Sequence, residues 1–272
     1  MTRAGATTPA GPRRELVEPV GRLLFQARSA LFITGPGLSA ESGLSHHRGI
    51  PGLERKRPED GRLFEAALSP DTLAHRPELT WHTLLEMDHQ IGAALPNRGH
   101  EVLAAIERSL ERSTIVTINV DRLHQRAGSR NVIEMHGALH DLACTRCEIA
   151  TRYDSYAQLP VPPLCAICGR VLRPGMPLFG ESLPADPFTQ LQAEIDIGFD
   201  IVFAIGVDTI FPYLGRPLLL AKQVGIPTVE IVQAQTDLSD VVDFAFHGSP
   251  SKILDFMWEI FCQLGPARDW SE

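Results

Sequence analysis

Four of the five cysteines fall in two close pairs, Cys144-Thr-Arg-Cys147 and Cys165-Ala-Ile-Cys168, with 17 residues between the pairs. Each C-x-x-C can bring two thiolates onto one tetrahedral ion, and two such pairs at this separation match a zinc ribbon. With Cys144, Cys147, Cys165 and Cys168 filling every position, the ion would have no open site for substrate. The expected metal is therefore one structural zinc per chain. Two disulfides are the alternative, and they suit a secreted chain. Met1 to Arg14, rich in Ala, Thr, Pro and Arg and without an apolar stretch, does not read as a secretory signal. That start reads as a flexible tail, 1–14, and the setting as cytoplasmic. Cys262 lies in an apolar segment and is expected in the core.

A second group of residues follows the apolar run Ala30-Leu31-Phe32-Ile33-Thr34. Gly35-x-Gly37 permits a tight turn and a close backbone approach to a ligand. Ser39-Ala40-Glu41-Ser42-Gly43 can open a helix whose free N–H groups attract phosphate. The third glycine of the full dinucleotide fingerprint is Ala40 here, so a nucleotide loop and a purely structural turn both fit. His136-Gly137 closes another apolar run, where an isolated histidine reads as a core residue capping a strand end.

Positioning these residues requires strands that end where the chemistry begins. Ala30–Thr34, Ile115–Ile118, Val132–Met135, Ile201–Ile205 and Thr228–Val232 are short apolar runs. They alternate with helical spacing around Leu16–Ala27, Leu79–Ala94, Glu101–Glu111, Tyr213–Val224 and Ile253–Cys262. Buried strands alternating with helices predict an α/β fold, a parallel sheet covered on both faces, with ligands at the C-terminal strand ends. From about Asp141 to Leu178 the pattern breaks into Pro-rich pieces around the cysteines, which reads as an inserted zinc module. A net charge of −8 argues against general nucleic-acid binding, and no run is long enough to span a membrane.

Taken together, several segments resemble one family, the sirtuins, NAD-dependent protein deacylases. The resemblance is carried by Gly35-Pro36-Gly37-Leu38-Ser39-Ala40-Glu41-Ser42-Gly43-Leu44, by Thr117-Ile118-Asn119-Val120-Asp121-Arg122-Leu123-His124, and by His136-Gly137. The two C-x-x-C pairs, Leu172-Arg173-Pro174 with Phe179-Gly180-Glu181, the strand end at Gly206 and the smaller match Pro96-Asn97-Arg98-Gly99-His100 complete it. It runs from about Leu16 to Leu254 in the family's order. It implies a Rossmann-like doubly wound parallel sheet (15–140 and 179–265) with a small inserted zinc-ribbon module (141–178), the active site lying between them, and a C-terminal tail at 266–272. It also implies NAD as co-substrate and an acyl-lysine protein or peptide as partner. His136 would be the general base that takes a proton from a ribose hydroxyl, a task suited to a histidine's pKa. Asn119 and Asp121 would line the nicotinamide pocket. Gly35, Gly37, Ser39, Glu41, Arg48, Gly206 and Asp208 would hold the rest of the cofactor, and Phe179, Gly180 and Glu181 would form the peptide-docking edge.

The departures cluster on the cofactor side. Pro36 replaces an alanine and removes an N–H, and His46-His47-Arg48 stands where the cofactor loop usually carries a phenylalanine before the arginine. Ile118 replaces a glutamine, Val207-Asp208 a Thr-Ser, and Val232 an asparagine. Met176-Pro177 precedes the docking edge, where a proline cannot donate to a strand ladder. The Tyr-x-x-Arg pair of the succinyl-selective branch falls near Leu84 and Met87, read as a buried helix face, so no acidic-acyl preference is expected. Three functions fit: a deacylase releasing nicotinamide and O-acyl-ADP-ribose, an ADP-ribosyltransferase or NAD hydrolase, and a non-catalytic nucleotide-sensing scaffold.

Overall fold

The computed structural model describes residues 14–44, 46–47, 50–51, 58–147, 149–208 and 211–265. Arg48 and the tail residues 1–13 and 266–272 lie outside these, and His46 and His47 enter only as the short strand His46–His47.

Six strands form the main sheet: β1 (Ser29–Thr34), β2 (Arg112–Thr117), β3 (Val132–Glu134), β4 (Ile201–Ile205), β5 (Thr228–Val232) and β6 (Phe244–His247). All pairings are parallel and the order is β6-β5-β4-β1-β2-β3. The chain thus winds outward from β1 in both directions, as the α/β pattern predicted. Side chains alternate across β1. Ala30 and Phe32 join the core under the helices Arg14–Gln26, Arg98–Glu107 and Pro250–Leu264, while Leu31 and Ile33 face Ala185–Ile197 and Pro212–Gln223. The Phe32 and Phe203 rings stack at 4.9 Å across β1 and β4. Each such fully buried side chain stabilises the sheet by about 1.5–3 kcal/mol of apolar burial.

Several boundaries moved for local reasons. The helix expected at Glu101 starts at Arg98, because Asn97 accepts the Gly99 and His100 amides and His100 Nδ1 accepts the Asn97 amide, a capping box. β2 begins three residues before its apolar run, since Arg112 and Thr114 find a partner in Glu194. β6 and the helices Pro58–Ala67, Pro70–His75 and Ala185–Ile197 were not read from the sequence; only Leu191 of the last is buried, so it carries little periodicity. Cys262, expected in the core, is exposed: the Pro250–Leu264 helix buries Met257, Ile260 and Phe261 and turns Cys262 outward.

The insertion forms a separate antiparallel sheet in which Asp141–Cys144 is flanked by Ala150–Arg152 and Leu172–Pro174. Its core is shared with the helix Pro77–Ala93 through Trp81, Leu84 and Met87, the last two buried as expected. The Trp81 indole donates to the Leu172 carbonyl at 3.1 Å. Among the described residues no helix is long and apolar enough to cross a membrane.

Candidate active site

The winding reverses between β1 and β4, and there the two strand ends interlock. The Gly35 amide donates to the Ile205 carbonyl at 3.0 Å and the Gly37 amide to the Gly206 carbonyl at 2.8 Å. A Cβ on Gly37 would stand 2.7 Å from Gly206 Cα, and one on Gly206, whose φ is +63°, would collide with the Leu38 amide. Only glycine fits at 206, because across this crevice the two strand ends pack backbone to backbone. Pro36 takes the first position of the short helix Pro36–Ser39, where its missing N–H leaves no gap in the helix bonding.

Into this crevice the chain after β2 brings a compact polar cluster. The buried Ser39 hydroxyl donates to Asp121 Oδ2 at 2.7 Å and accepts from Asn119 Nδ2 at 3.0 Å. Asn119 Nδ2 also donates to the Gly35 carbonyl at 3.1 Å, and Asp121 Oδ1 accepts the Leu123 amide at 2.9 Å. Burial raises the Asp121 carboxyl above the usual range, against the hydrogen bonds that favour its ionised form. Among the described residues, the buried Asn119 Oδ1 has no hydrogen-bond partner. An orphaned amide oxygen costs free energy until a donor reaches it.

His136 follows β3, where Gly137 (φ +62°) allows the chain to turn against Gly175 of the cysteine module; a Cβ there would strike the Gly175 carbonyl oxygen. The ring thereby sits at the junction of the two sheets. Burial lowers its pKa from 6.5 to about 4, so it is neutral near pH 7 with one nitrogen free to accept. Its Nε2 lies 2.7 Å from the Tyr213 hydroxyl. Both line a cavity of about 380 Å³ whose remaining wall is mostly apolar, including Leu68, Met176, Phe179 and Phe211.

The Sγ atoms of Cys144, Cys147, Cys165 and Cys168 all lie within 4.8 Å of one another, and none is in a disulfide. Four thiolates at about 2.3 Å from a tetrahedral ion stand roughly 3.8 Å apart, so the cluster fits zinc. The Cys147 and Arg146 amides donate to Cys144 Sγ, each at 3.4 Å, and hold that thiol below its ordinary pKa, which favours the metal-binding thiolate.

The model of the Sir2 family matches residues 35–210 of this chain. The chain belongs to the Sir2 family. It is 38% identical over 247 residues to NAD-dependent protein deacylase 2 of Pseudomonas aeruginosa, covering 90% of this chain and 95% of the relative. It is 33% identical over 239 residues to NAD-dependent protein deacylase 1 of Archaeoglobus fulgidus, covering 88% and 95%. Among solved structures, a complex of a Sir2 homologue with NAD superposes with a TM-score of 0.80 at 32% identity, covering 91% of this chain and 94% of the other.

In this Sir2-family chain the residues singled out from the sequence separate into groups. Gly35, Gly37, Ser39, Asn119, Asp121 and Gly206 converge on the β1–β4 crevice, and Phe179, Gly180 and Glu181 line the His136 cavity. Glu41 instead turns to the Ser251 amide near the start of the last helix, at 2.9 Å, and Asp208 is exposed beyond β4. Glu181 is gripped by Arg173 at 2.8 and 2.5 Å, and this bond holds its carboxyl below the usual range. His100 and His124, assigned no role from the sequence, are fully buried against each other, with ring centroids 4.9 Å apart. Sequence reasoning matched the stretch holding Asn97 but gave no role to that residue, whose Nδ2 braces the glycine loop through the Leu38 carbonyl at 2.7 Å, and it gave none to Tyr213. An asparagine after proline and before a helix is a capping signal that could have found the first. Nothing local pointed to the second.

Proposed function

We propose that this chain is an NAD-dependent protein-lysine deacylase with His136 as its general base. The observation that carries the reading is Asn119 Oδ1, a buried acceptor without a donor among the described residues, beside the interlocked ends of β1 and β4. A carboxamide N–H satisfies that oxygen, and the strand ends at the switch point of a doubly wound sheet are where dinucleotides bind. When bound, NAD supplies an ADP-ribosyl group with nicotinamide as leaving group, and its ribose receives the acyl group.

The residues of the chain then have distinct tasks. Asn119 orients the carboxamide, and Ser39 and Asp121 hold Asn119 in place. His136, neutral through burial, takes a hydroxyl proton at Nε2. The mostly apolar cavity beside it excludes water and takes the acyl-lysine side chain. The amides of Leu178, Phe179 and Glu181 are already bonded within the chain and Pro177 has none. Substrate is thus held more through the acyl-lysine side chain in the cavity than through strand pairing along this edge. Cys144, Cys147, Cys165 and Cys168 would hold a zinc ion that orders the module and takes no part in the chemistry.

The test is nicotinamide release from NAD with and without an acetyl-lysine peptide, beside His136→Ala. Peptide-dependent release that disappears in the variant is the expected result. Release independent of peptide, with label passing from NAD to protein or water, would replace deacylation by ADP-ribosyl transfer or hydrolysis. No NAD binding at millimolar concentration would leave a zinc-stabilised scaffold.

A further inference from the structure

Tyr213 was read from the sequence only as the start of a helix, yet its hydroxyl is bonded to the ring proposed as the base. Pro212 sets the first turn of the Pro212–Gln223 helix and places Tyr213 directly after it. The phenol ring packs against two aromatic neighbours: it stacks on Phe211 at 5.5 Å and 15°, and meets Phe188 edge-on at 5.2 Å. A half-buried phenol needs a partner for its O–H, and among the described residues the only one bonded to Tyr213 is His136 Nε2, at 2.7 Å. A hydroxyl that donates here makes Nε2 the acceptor and leaves the imidazole proton on Nδ1.

We propose that Tyr213 is a positioning residue for His136, fixing the tautomer in which Nε2 is the basic nitrogen and covering that nitrogen until a ligand hydroxyl replaces the phenol. What His136 then does rests on the deacylase reading; the tyrosine–histidine lock does not. Proton accounting is simple. The phenol keeps its own proton, because burial raises its pKa. On ligand entry the phenol turns away, the ligand O–H takes its place on Nε2, and the ligand's proton moves to Nε2 to give an imidazolium. The charged groups of the surrounding elements are paired elsewhere: Glu181 with Arg173, Glu134 with Arg122 and Gln125, and Asp121 with Ser39 and the Leu123 amide. Among the described residues Tyr213 is thus the polar side chain bonded to the ring. A donor to the neutral imidazole favours the neutral form and so reinforces the lowering by burial.

Tyr213→Phe keeps the aromatic stack and removes only the donor. The measurement is nitrogen-15 NMR of the full-length chain without NAD, the His136 resonances being identified by their loss in His136→Ala. The parent should show Nδ1 protonated and Nε2 as an unprotonated acceptor. In Tyr213→Phe the titration midpoint of His136 should rise by about one pH unit and the two tautomers should mix. The acid limb of kcat/KM should move up by the same amount while the melting temperature stays put. Tyr213→Leu, which also removes the stack, should lower the melting temperature, separating packing from the lock. An unchanged tautomer and midpoint in Tyr213→Phe would overturn the proposal, as would a protonated Nε2 in the parent. If the NMR changes appear but neither protein turns over NAD, the lock stands and the deacylase reading falls. If NAD is turned over and the NMR is unchanged, the reverse holds.

Discussion

The two sheets that meet at His136 are held together by different forces. In the six-stranded sheet, β1 and β4 are buried along nearly their whole length and every functional position is the end of a strand fixed by that burial. In the cysteine module, Ala150–Arg152 is exposed throughout and Asp141–Cys144 is buried only at alternate residues. There the apolar core is shared with the helix Pro77–Ala93, and four converging thiols add a site for a structural metal. The lesson is that the junction at His136 is held from one side by packing alone and from the other by packing together with a metal site. Gly137 against Gly175 is the seam.

The largest effect should come from the metal side. Structural zinc contributes about 10–16 kcal/mol in small zinc modules, so chelation, or Cys168→Ser, should abolish hydrogen-exchange protection across 141–174 while β1 stays protected. Equal loss in both sheets would erase the contrast. Next comes His136→Ala, which should lower kcat by about 10²–10⁴-fold and leave the melting temperature near that of the parent. A large drop in stability would instead make His136 a packing residue of the seam. On the sheet side, Gly206→Ala forces a Cβ onto the Leu38 amide at a φ of +63°. It should cost about 1–3 kcal/mol in chemical denaturation and weaken NAD binding in calorimetry.

Acid should act on the same side of the comparison. His100 and His136 are lowered from 6.5 to about 4 by burial, and His124 is lowered well below 6.5, also first by burial. Between pH 4 and 6.5 the unfolded chain binds more protons at these residues than the folded one, so stability should rise with pH across that window. Urea midpoints at pH 4.5, 5.5 and 6.5 measure the slope, which His100→Asn should flatten. The smallest effect should be Trp81→Phe, which removes the bond to the Leu172 carbonyl between the helical layer and the module and should cost about 1 kcal/mol.

Much of this was legible in the amino-acid order alone. Two C-x-x-C pairs determine a four-thiol centre because each pair spans one turn of backbone around one ion. The apolar runs alternating with helical spacing point to a parallel sheet, because strands buried on both faces need helices over each, and Gly35, Gly37 and Gly206 mark close backbone approach at its strand ends. What only the tertiary structure decided are the contacts between distant segments. Tyr213 meets His136 from 77 residues away, Glu41 reaches Ser251 across 210, and His100 packs on His124. Cys262 faces solvent because of where its helix docks. No local period records such pairings. A side chain's spacing says which face of its own element it occupies, and the packing of whole elements determines what stands opposite.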